Sequence, residues 1–364
     1  MAVIVPAHDE AAGIATTLRS LAAMRYPPEM LVTIVVADNC GDDTAAVARD
    51  EGAVVLERTD PARRGKGHAL AWALERLETA APDTEAVLMV DADCQVDPGL
   101  AVAAAARLAA GARAVQCDYA VANPEASPAS ALRYAAFALV NTVRPAGKES
   151  LGLSAGLTGT GMAFSRELLR RHPWDAFSLA EDAEYHLRLV AAGERVSFAG
   201  EAAVRSPMPT SQAASESQQA RWEGGRMQLA RRWAPRLLAS GLRERDHLKV
   251  HAALEQLVPP QAALAAATAA GGALSLALRD RRGAALAAAT AAGQAAFVLG
   301  GLRLAGAPAG VYRSLAGAPA VVARKLVLLA RISAGGGPDE WVRTEREQPN
   351  TRPAHVHSSI VGNA

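Results

Sequence analysis

Short apolar runs alternate with helical patterns over the first third of this 364-residue chain. The apolar runs lie at 3–5, 33–36, 54–56 and 86–90, with a further one near Gln116. The helical patterns lie at 13–24, 44–51, 68–79 and 98–110. Strands buried on both faces form continuous apolar runs, and helices of this length connect parallel strands. The alternation therefore predicts an α/β fold with a doubly wound, mostly parallel sheet.

Charge and cysteine content narrow the class of protein. The formal net charge is +1, whereas a nucleic-acid binder usually carries a basic stripe. Cys40, Cys94 and Cys117 show neither metal-ligand spacing nor the even number of a disulfide framework, which indicates a reduced, cytosol-facing compartment. Met1 runs directly into the first apolar run, so the sequence predicts no cleavable signal peptide.

Charged residues follow the predicted strands at the points where the strands end. Asp38 follows the second run, Lys66 lies in a Gly-rich basic segment after the third, and Asp91 and Asp93 follow the fourth. Doubly wound sheets bind ligands at the carboxyl ends of their strands. We therefore expect these side chains to share one site at one edge of the sheet.

The Asp91-x-Asp93 pair predicts a metal site. Carboxylate oxygens are hard ligands that suit Mg²⁺ or Mn²⁺, and these ions also recruit substrate phosphates. The alternative is a solvated turn, against which the preceding apolar strand and the matching charged motifs argue. Asp97 is interpreted separately, as the N-cap of the helix that begins near Pro98.

Lys66 and Asp38 predict contacts with a nucleotide. Glycines on both sides of Lys66 let the backbone approach a ligand closely, and the ammonium group can meet a phosphate. The alternative is a solvated basic loop, and the glycine spacing differs from that of a Walker A loop. Asp38 can accept hydrogen bonds from a base or a ribose, whereas Asp42 or Asp43 is expected to cap the next helix.

A helix start rich in acids supplies a candidate base. Glu181, Asp182 and Glu184 open a helical pattern, where the helix dipole favours negative charge. That placement is a sufficient structural explanation for Glu184, whereas Asp182 is the candidate for removing a proton from an acceptor hydroxyl. The segment 156–164 upstream is too rich in Gly for a plain strand, so we predict a loop with a ligand against its backbone.

The C-terminal third has a different pattern. An Arg-rich amphipathic helix is predicted at 218–249, followed by two uncharged stretches at 256–278 and 283–302 that are long enough to cross a membrane. The alternative is a pair of core helices in a soluble bundle. The stretch 305–329 is broken by proline and arginine, which is typical of an interfacial or re-entrant segment. The predicted domains are 1–235, 236–333 and a polar tail at 334–364.

Together these motifs resemble the inverting family 2 glycosyltransferases, and most of all their membrane-bound, cellulose-synthase-like branch. The resemblance is carried by the segments 3–10 and 159–164, by Asp38, Lys66, Asp91-x-Asp93 and Glu181-Asp182, and by Gln218-x-x-Arg221-Trp222. The tail at 341–346 also resembles the segment that follows the membrane helices in this branch. The implied fold is GT-A, a single α/β domain that binds a nucleotide sugar.

The resemblance also implies a role for each matching residue. The donor nucleotide would be bound by Pro6, Ala7, Glu10, Asp38, Lys66, Asp91 and Arg221. Asp93 would bind the metal, Mg²⁺ or Mn²⁺, and Asp182 would be the general base. The acceptor would be bound by Gly159, Thr160, Gly161, Glu181, Gln218 and Trp222, with Trp222 beneath the acceptor sugar or the donor ring.

The implied reaction moves a sugar from a nucleoside-diphosphate sugar, UDP by default, to a carbohydrate, lipid or small-molecule acceptor, without nucleic acid. The implied location is the cell membrane, with the catalytic domain facing the cytoplasm. The number of spans is too small for an obvious secretion channel, so single transfers are at least as consistent with the sequence as processive synthesis. A non-catalytic nucleotide-sugar-binding scaffold and a nucleotidyltransferase are the alternatives.

Overall fold

A computed structural model describes residues 1–208 and 212–333, except for the side chains of residues 212–218, 221 and 333. One sheet of eight strands organises the chain, in the order β3-β2-β1-β4-β7-β6-β8-β5. The strands are β1 (Ala2–Ala7), β2 (Val32–Asp38), β3 (Val54–Arg58), β4 (Ala86–Met89), β5 (Gln95–Val96), β6 (Ala114–Val121), β7 (Met162–Ser165) and β8 (Val196–Ser206).

The predicted strands and crossover helices of the first third are confirmed. The first nine helices are α1 (Ile14–Ala22), α2 (Thr44–Asp50), α3 (Lys66–Ala80), α4 (Leu100–Ala109), α5 (Pro128–Phe137), α6 (Arg144–Ser150), α7 (Arg166–Arg171), α8 (Glu181–Ala191) and α9 (Gln212–Glu244). A π-helical stretch at Ala138–Val143 joins α5 to α6, and a 3₁₀ turn at Pro28–Met30 precedes β2.

The sheet is mixed rather than purely parallel. Strands β3, β2, β1 and β4 are parallel neighbours, and β6 is parallel to β8. Strand β7 runs antiparallel to β4 and β6, on either side of it, and β5 runs antiparallel to β8. The prediction of a loop throughout 156–164 is therefore wrong at its end, because Met162, Ala163 and Phe164 are fully buried and pair with both neighbours.

Alternating side chains build a core on each face of the sheet. On β1, Val3 and Val5 belong to the core with α1 and α4, whereas Ala2 and Ile4 belong to the core with α3. All four are completely buried. A strand buried on both faces needs apolar residues at successive positions. The double burial of β1 thus places the residues that follow it at the carboxyl edge of the sheet.

Two sequence predictions at helix starts need correction. Asp97 does not cap α4, because Gly99 occupies the N-cap position, and the Asp97 carboxylate instead accepts the backbone N–H of Ala203 and pairs with Arg205. Lys66 is the first residue of helix α3 rather than part of a loop. Its N-cap residue, Gly65, has a φ of 109°, a conformation that favours glycine.

The remaining helices are α10 (His247–Leu257), α11 (Gln261–Ala277), α12 (Arg281–Leu304), α13 (Ala309–Ser314) and α14 (Ala318–Ser333). A 3₁₀ turn at Leu315–Gly317 joins α13 to α14. The predicted boundary at residue 235 lies inside α9. Helix α10 adds Ala252 and Ala253 to a small core with α8 and α9, so the character of the packing changes only after Leu257.

Beyond Leu257 the helices expose many apolar side chains, although Leu302 and Val311 are buried in a small core with α5. No residue of α11 is buried, and Leu276 and Leu286 are 71% and 70% exposed. Within the described residues, α12 is the one helix long and apolar enough to cross a membrane by itself, and α11 reaches that measure only jointly with α10, from which it is bent by 63°. The tail at 334–364, with the segment 341–346, lies outside the described residues.

Candidate active site

The charged motifs of the sequence meet in one cleft of about 2620 Å³ at the carboxyl edge of the sheet. Most of the residues assigned to a ligand by sequence line it: Pro6, Ala7, Glu10, Asp38, Lys66, Asp91, Asp93, Gly159, Glu181, Asp182 and Trp222. Thr160 and Gly161 do not line the cleft but lie behind the residues that form its wall. The side chains of Gln218 and Arg221 lie outside the described residues, so their predicted roles stay predictions.

Lys66 is the centre of the charge cluster. Its Nζ lies 2.5 Å from Asp91 Oδ1 and 3.8 Å from Glu181 Oε1, and it donates a hydrogen bond of 2.6 Å to the Gly159 carbonyl. Burial works to lower the pKa of Lys66, but the carboxylates of Asp91, Glu181 and Asp182 raise it above its usual range. The ammonium therefore stays charged and balances acids drawn from two distant parts of the chain.

Glu181 and Asp182, at the start of α8, both have raised pKa values. Burial raises the pKa of Asp182, against the lowering effect of Lys66, and it raises the pKa of Glu181 to about 7. The Ala183 backbone N–H donates to Asp182 Oδ1 at 2.7 Å, which fixes the carboxylate at the helix N-terminus. A carboxylate with a raised pKa in a cleft is a candidate general base.

Glu184 differs from these two acids. Its side chain is buried, and it accepts the Ser178 backbone N–H at 3.2 Å and pairs with Arg188 at 3.1 Å. These contacts tie α8 to the segment before it, and Glu184 does not line the cleft. These contacts agree with a structural role for Glu184 rather than a role in binding a ligand.

The glycines of the segment before β7 allow a close approach. Gly159 has a φ of 86°, and a Cβ there would lie 3.3 Å from Asp182 Oδ2 and 3.4 Å from Lys66 Nζ. Between the glycines, the buried Thr160 hydroxyl accepts the Asp91 backbone N–H at 3.1 Å. The segment thus packs against the charge cluster and orients Asp91, rather than presenting all its residues to the cleft.

Gln116 is a residue of this site that sequence reasoning missed. It is buried in β6, where its Nε2 donates to the carbonyls of Thr160 and Cys117, both at 2.8 Å, and its Oε1 accepts the Thr158 N–H at 2.9 Å. One side chain thereby holds the residues on both sides of Gly159. The available signal was a single amide in an otherwise apolar run, since a buried polar group must find partners.

Asp38 has a partner that the sequence pattern did not reveal. Arg58 lies opposite Asp38 in the β2–β3 register, and the two buried side chains form an ion pair. Asn39 donates to the same carboxylate at 2.9 Å, and Arg58 also contacts Asp60 at 3.1 Å. Asp38 lines the cleft with its carboxylate already oriented by a buried guanidinium, which restricts the geometry with which it can meet a ligand.

Asp91 and Asp93 suit a hard divalent cation. Together with Cys94 they place one potential ligand atom each within 4.8 Å of one another. Burial raises the pKa of the Cys94 thiol well above its usual value, and Asp91 and Asp93 line the cleft whereas Cys94 does not. Asp93 accepts from the Ser206 hydroxyl at 3.3 Å, an outer contact of the kind that orients metal ligands. The donor set therefore fits Mg²⁺ or Mn²⁺.

The cleft continues away from Asp182 towards the C-terminal helices. Trp222 is 37% exposed and lies 5.7 Å from Phe137, ring centre to ring centre. Beyond them the lining combines apolar and cationic side chains of the π-helical stretch, α6, α12 and α14, namely Val140, Arg144, Phe297, Arg324, Leu328 and Arg331. The cleft is thus acidic at the sheet edge and amphipathic at its far end.

Comparison with solved structures defines the class of this fold. A mannosyltransferase from Pyrobaculum calidifontis, solved in complex with GDP-Man and Mn²⁺, superposes with a TM-score of 0.53 at 23% identity, over 86% of this chain and 85% of that one. This likeness shows the fold, which is the GT-A arrangement of glycosyltransferases.

Sequence comparison then gives the family. The protein-family model described as glycosyltransferase like family 2 matches residues 1–225, and the chain belongs to this family. A curated relative, the low-salt glycan biosynthesis hexosyltransferase Agl6 of Haloferax volcanii, is 32% identical over 97 residues. That match covers 27% of this chain and 22% of the relative's length. The predicted membership of glycosyltransferase family 2 and the predicted GT-A fold are confirmed.

Proposed function

We propose that this glycosyltransferase moves a sugar from a nucleoside-diphosphate sugar to an acceptor hydroxyl with inversion at the anomeric carbon. The observation that carries the proposal is the cluster of Asp91, Glu181 and Asp182 around Lys66 at the edge of the sheet. It combines a carboxylate of raised pKa with a cation and a carboxylate pair suited to a metal.

Asp182 performs the proton transfer in this proposal. Its carboxylate accepts the proton of the acceptor hydroxyl, and the hydroxyl oxygen forms a bond to the anomeric carbon. The bond from that carbon to the diphosphate oxygen breaks on the opposite face, which inverts the centre. The Ala183 N–H holds Asp182 in position while this happens.

Negative charge on the departing diphosphate has to be stabilised where it develops. Lys66 supplies one fixed cation in the cleft, and Arg221 is expected to supply another. Asp93, together with Asp91, would hold a divalent cation that neutralises diphosphate charge. The Mn²⁺ in the Pyrobaculum mannosyltransferase complex supports this assignment.

The far end of the cleft suits an amphiphilic acceptor. Its cationic residues, Arg144, Arg324 and Arg331, lie beside apolar ones such as Phe297 and Leu328. A lipid acceptor would enter there from a membrane in which α12 and the bent pair α10–α11 are inserted. The catalytic domain would lie on the cytoplasmic side of that membrane. The exposure of Leu276 and Leu286 supports this location.

A panel of nucleotide sugars tests the reaction. UDP-sugars are the default from the sequence resemblance, and GDP-mannose is included because the Pyrobaculum enzyme binds it. Release of free nucleoside diphosphate from one donor, lost in Asp182→Asn, is the expected result. Donor binding without release for every sugar and acceptor would favour the non-catalytic scaffold, and release of pyrophosphate from nucleoside triphosphates would favour the nucleotidyltransferase.

Truncation after Val258 tests the location. This end point keeps Ala252, Ala253 and Glu255, which pack against or pair with the catalytic half. The truncated chain should leave the membrane fraction and keep its nucleotide affinity, whereas the full chain should need detergent. A full-length chain that is soluble without detergent would contradict the membrane proposal and leave the catalytic one standing.

A further inference from the structure

His8, Asp9 and Cys40 form a second group of potential metal ligands, separate from Asp91 and Asp93. His8 and Asp9 follow β1, and Cys40 follows β2. The two strands are parallel neighbours that remain paired to their ends, with Ala7 opposite Ala37. The residues that come next are therefore adjacent in space, although about thirty positions separate them in the sequence.

The three side chains converge. One ligand atom from each lies within 4.8 Å of the other two, and His8 Nε2 is 3.7 Å from Asp9 Oδ2. Cys40 Sγ lies 3.6 Å from the Ala7 carbonyl, beside the start of the same loop. Such distances allow a single ion between the three groups, since zinc bonds to nitrogen, oxygen and sulfur measure about 2.0–2.3 Å.

The imidazole of His8 has the tautomer that a metal ligand requires. Its Nδ1 lies 2.7 Å from the Asp38 carbonyl oxygen. A carbonyl can only accept, so Nδ1 carries a proton, and in the neutral imidazole Nε2 then carries the lone pair. Histidines that bind metals almost always donate their other ring N–H to a carbonyl or carboxylate, which fixes the ring.

Both loops adopt left-handed backbone conformations at this point. Asp9 has a φ of 55°, and Asn39, which precedes Cys40, has a φ of 51°. Asp and Asn are the residues other than glycine that best tolerate this region. The Gly41 N–H donates to Asp9 Oδ1 at 2.7 Å and links one loop to the other. Two tight turns thus direct the three groups towards one another.

We propose that His8, Asp9 and Cys40 bind a thiophilic divalent cation of the Zn²⁺ class. A set of one cysteine sulfur, one imidazole and one carboxylate suits such an ion, whereas the Asp91–Asp93 carboxylates suit Mg²⁺ or Mn²⁺. Burial raises the pKa of the Cys40 thiol, so the metal displaces the thiol proton when it binds. Three protein ligands leave a coordination position for water or another ligand. His8 and Asp9 lie on the wall of the cleft, so this ion is accessible from the cleft and distinct from the cation at Asp93.

Cobalt spectroscopy on the full chain tests the site without any assay of activity. The metal-free, reduced protein is titrated with Co²⁺ alone, and a thiolate-to-cobalt charge-transfer band is expected. Zn²⁺ should abolish the band, whereas excess Mg²⁺ should leave it. Cys40→Ser should remove it, and His8→Ala should weaken Co²⁺ binding at least about tenfold, since loss of even an outer contact typically costs 10–100-fold.

Matched variants assign the signal. Cys40 is half-buried, whereas Cys94 and Cys117 are buried, so Cys94→Ser and Cys117→Ser should both keep the band. Circular dichroism confirms that each variant is folded, and His8→Ala provides a second measurement that retains the thiol. The proposal is overturned if the wild-type chain gives no band, if the band persists in Cys40→Ser, or if it disappears only in Cys94→Ser.

Discussion

The sheet and the C-terminal helices use apolar residues in opposite ways. Leu88 in β4 is completely buried, and the strand that contains it leads directly to Asp91 and Asp93. Leu286 in α12 is 70% exposed and lies among other exposed leucines. In the sheet, burial of the apolar strand residues fixes the position of the polar residues that follow them. In the C-terminal helices, the exposed apolar surface is available for contact with something outside the chain. Apolar residues therefore pack a core in one region and form an exposed surface in the other, and the contacts between elements distinguish the two uses.

The largest effect is expected at the metal carboxylate of the sheet edge. Asp93→Asn should lower turnover roughly 10³-fold or more, because a bound cation supplies several kcal/mol of stabilisation to developing charge. Turnover should likewise require added Mg²⁺ or Mn²⁺, measured as nucleoside diphosphate release. Asp97→Asn is the matched control, since Asp97 binds Ala203 and Arg205 instead. Full turnover in excess chelator would refute the metal role.

A somewhat smaller effect is expected for the base. Asp182→Asn should lower kcat by ~10²–10⁴ and leave nucleoside diphosphate affinity nearly unchanged, because a general base acts on the acceptor proton. Calorimetric binding and single-turnover rates measure the two quantities. Glu184→Gln, on the same helix, should reduce thermal stability and keep kcat. A variant of Asp182 that lost nucleotide affinity but kept kcat would make Asp182 a binding residue.

The pH dependence follows from the direction of the Asp182 shift. Burial raises its pKa, and only the ionised carboxylate can accept a proton. The kcat should therefore fall as the pH is lowered, with a midpoint above the ordinary aspartate value of about 4 and a limiting slope of about tenfold per pH unit. A pH profile at saturating donor measures this. A kcat that stays constant down to about pH 4 would show that no carboxylate of raised pKa limits the reaction.

Local patterns were sufficient to predict β1 to β4 and β6 and the charged residues that follow β2 to β4, but not β5, β7 or β8. A run such as 86–90 has to be buried, and Asp91 follows it along the chain, so position and chemistry are both encoded within a few residues. The parallel order of the first four strands follows from the helices between them. This is why Asp38, Lys66, Asp91 and Asp93 could be placed at one edge of the sheet from local patterns, whereas Pro6, Ala7 and Glu10 were implied by the family resemblance.

Contacts between distant segments could not be predicted in this way. Arg58 meets Asp38 through strand register, and Gln116 holds a segment about forty residues away. The spacing of the cysteines gave no metal signal, because His8 and Cys40 are brought together only by the pairing of β1 with β2. The bend between α10 and α11, by contrast, lies at Pro259 and Pro260, which interrupt the predicted stretch 256–278 and are a local signal.

The smallest effect is expected at exposed leucines, and it tests the comparison directly. Leu88→Ala should cost about 2–5 kcal/mol of stability, because it leaves a cavity in a fully packed core. Leu286→Ala should change the free energy of unfolding by no more than about 0.5 kcal/mol, because its side chain makes few contacts within the chain. Urea unfolding of the full chain in detergent micelles measures both. If Leu286 contacts lipid, its replacement should still reduce the fraction of protein that sediments with vesicles. Equal losses of stability in the two variants would mean that α12 belongs to a packed core, and the contrast between the two regions would fail.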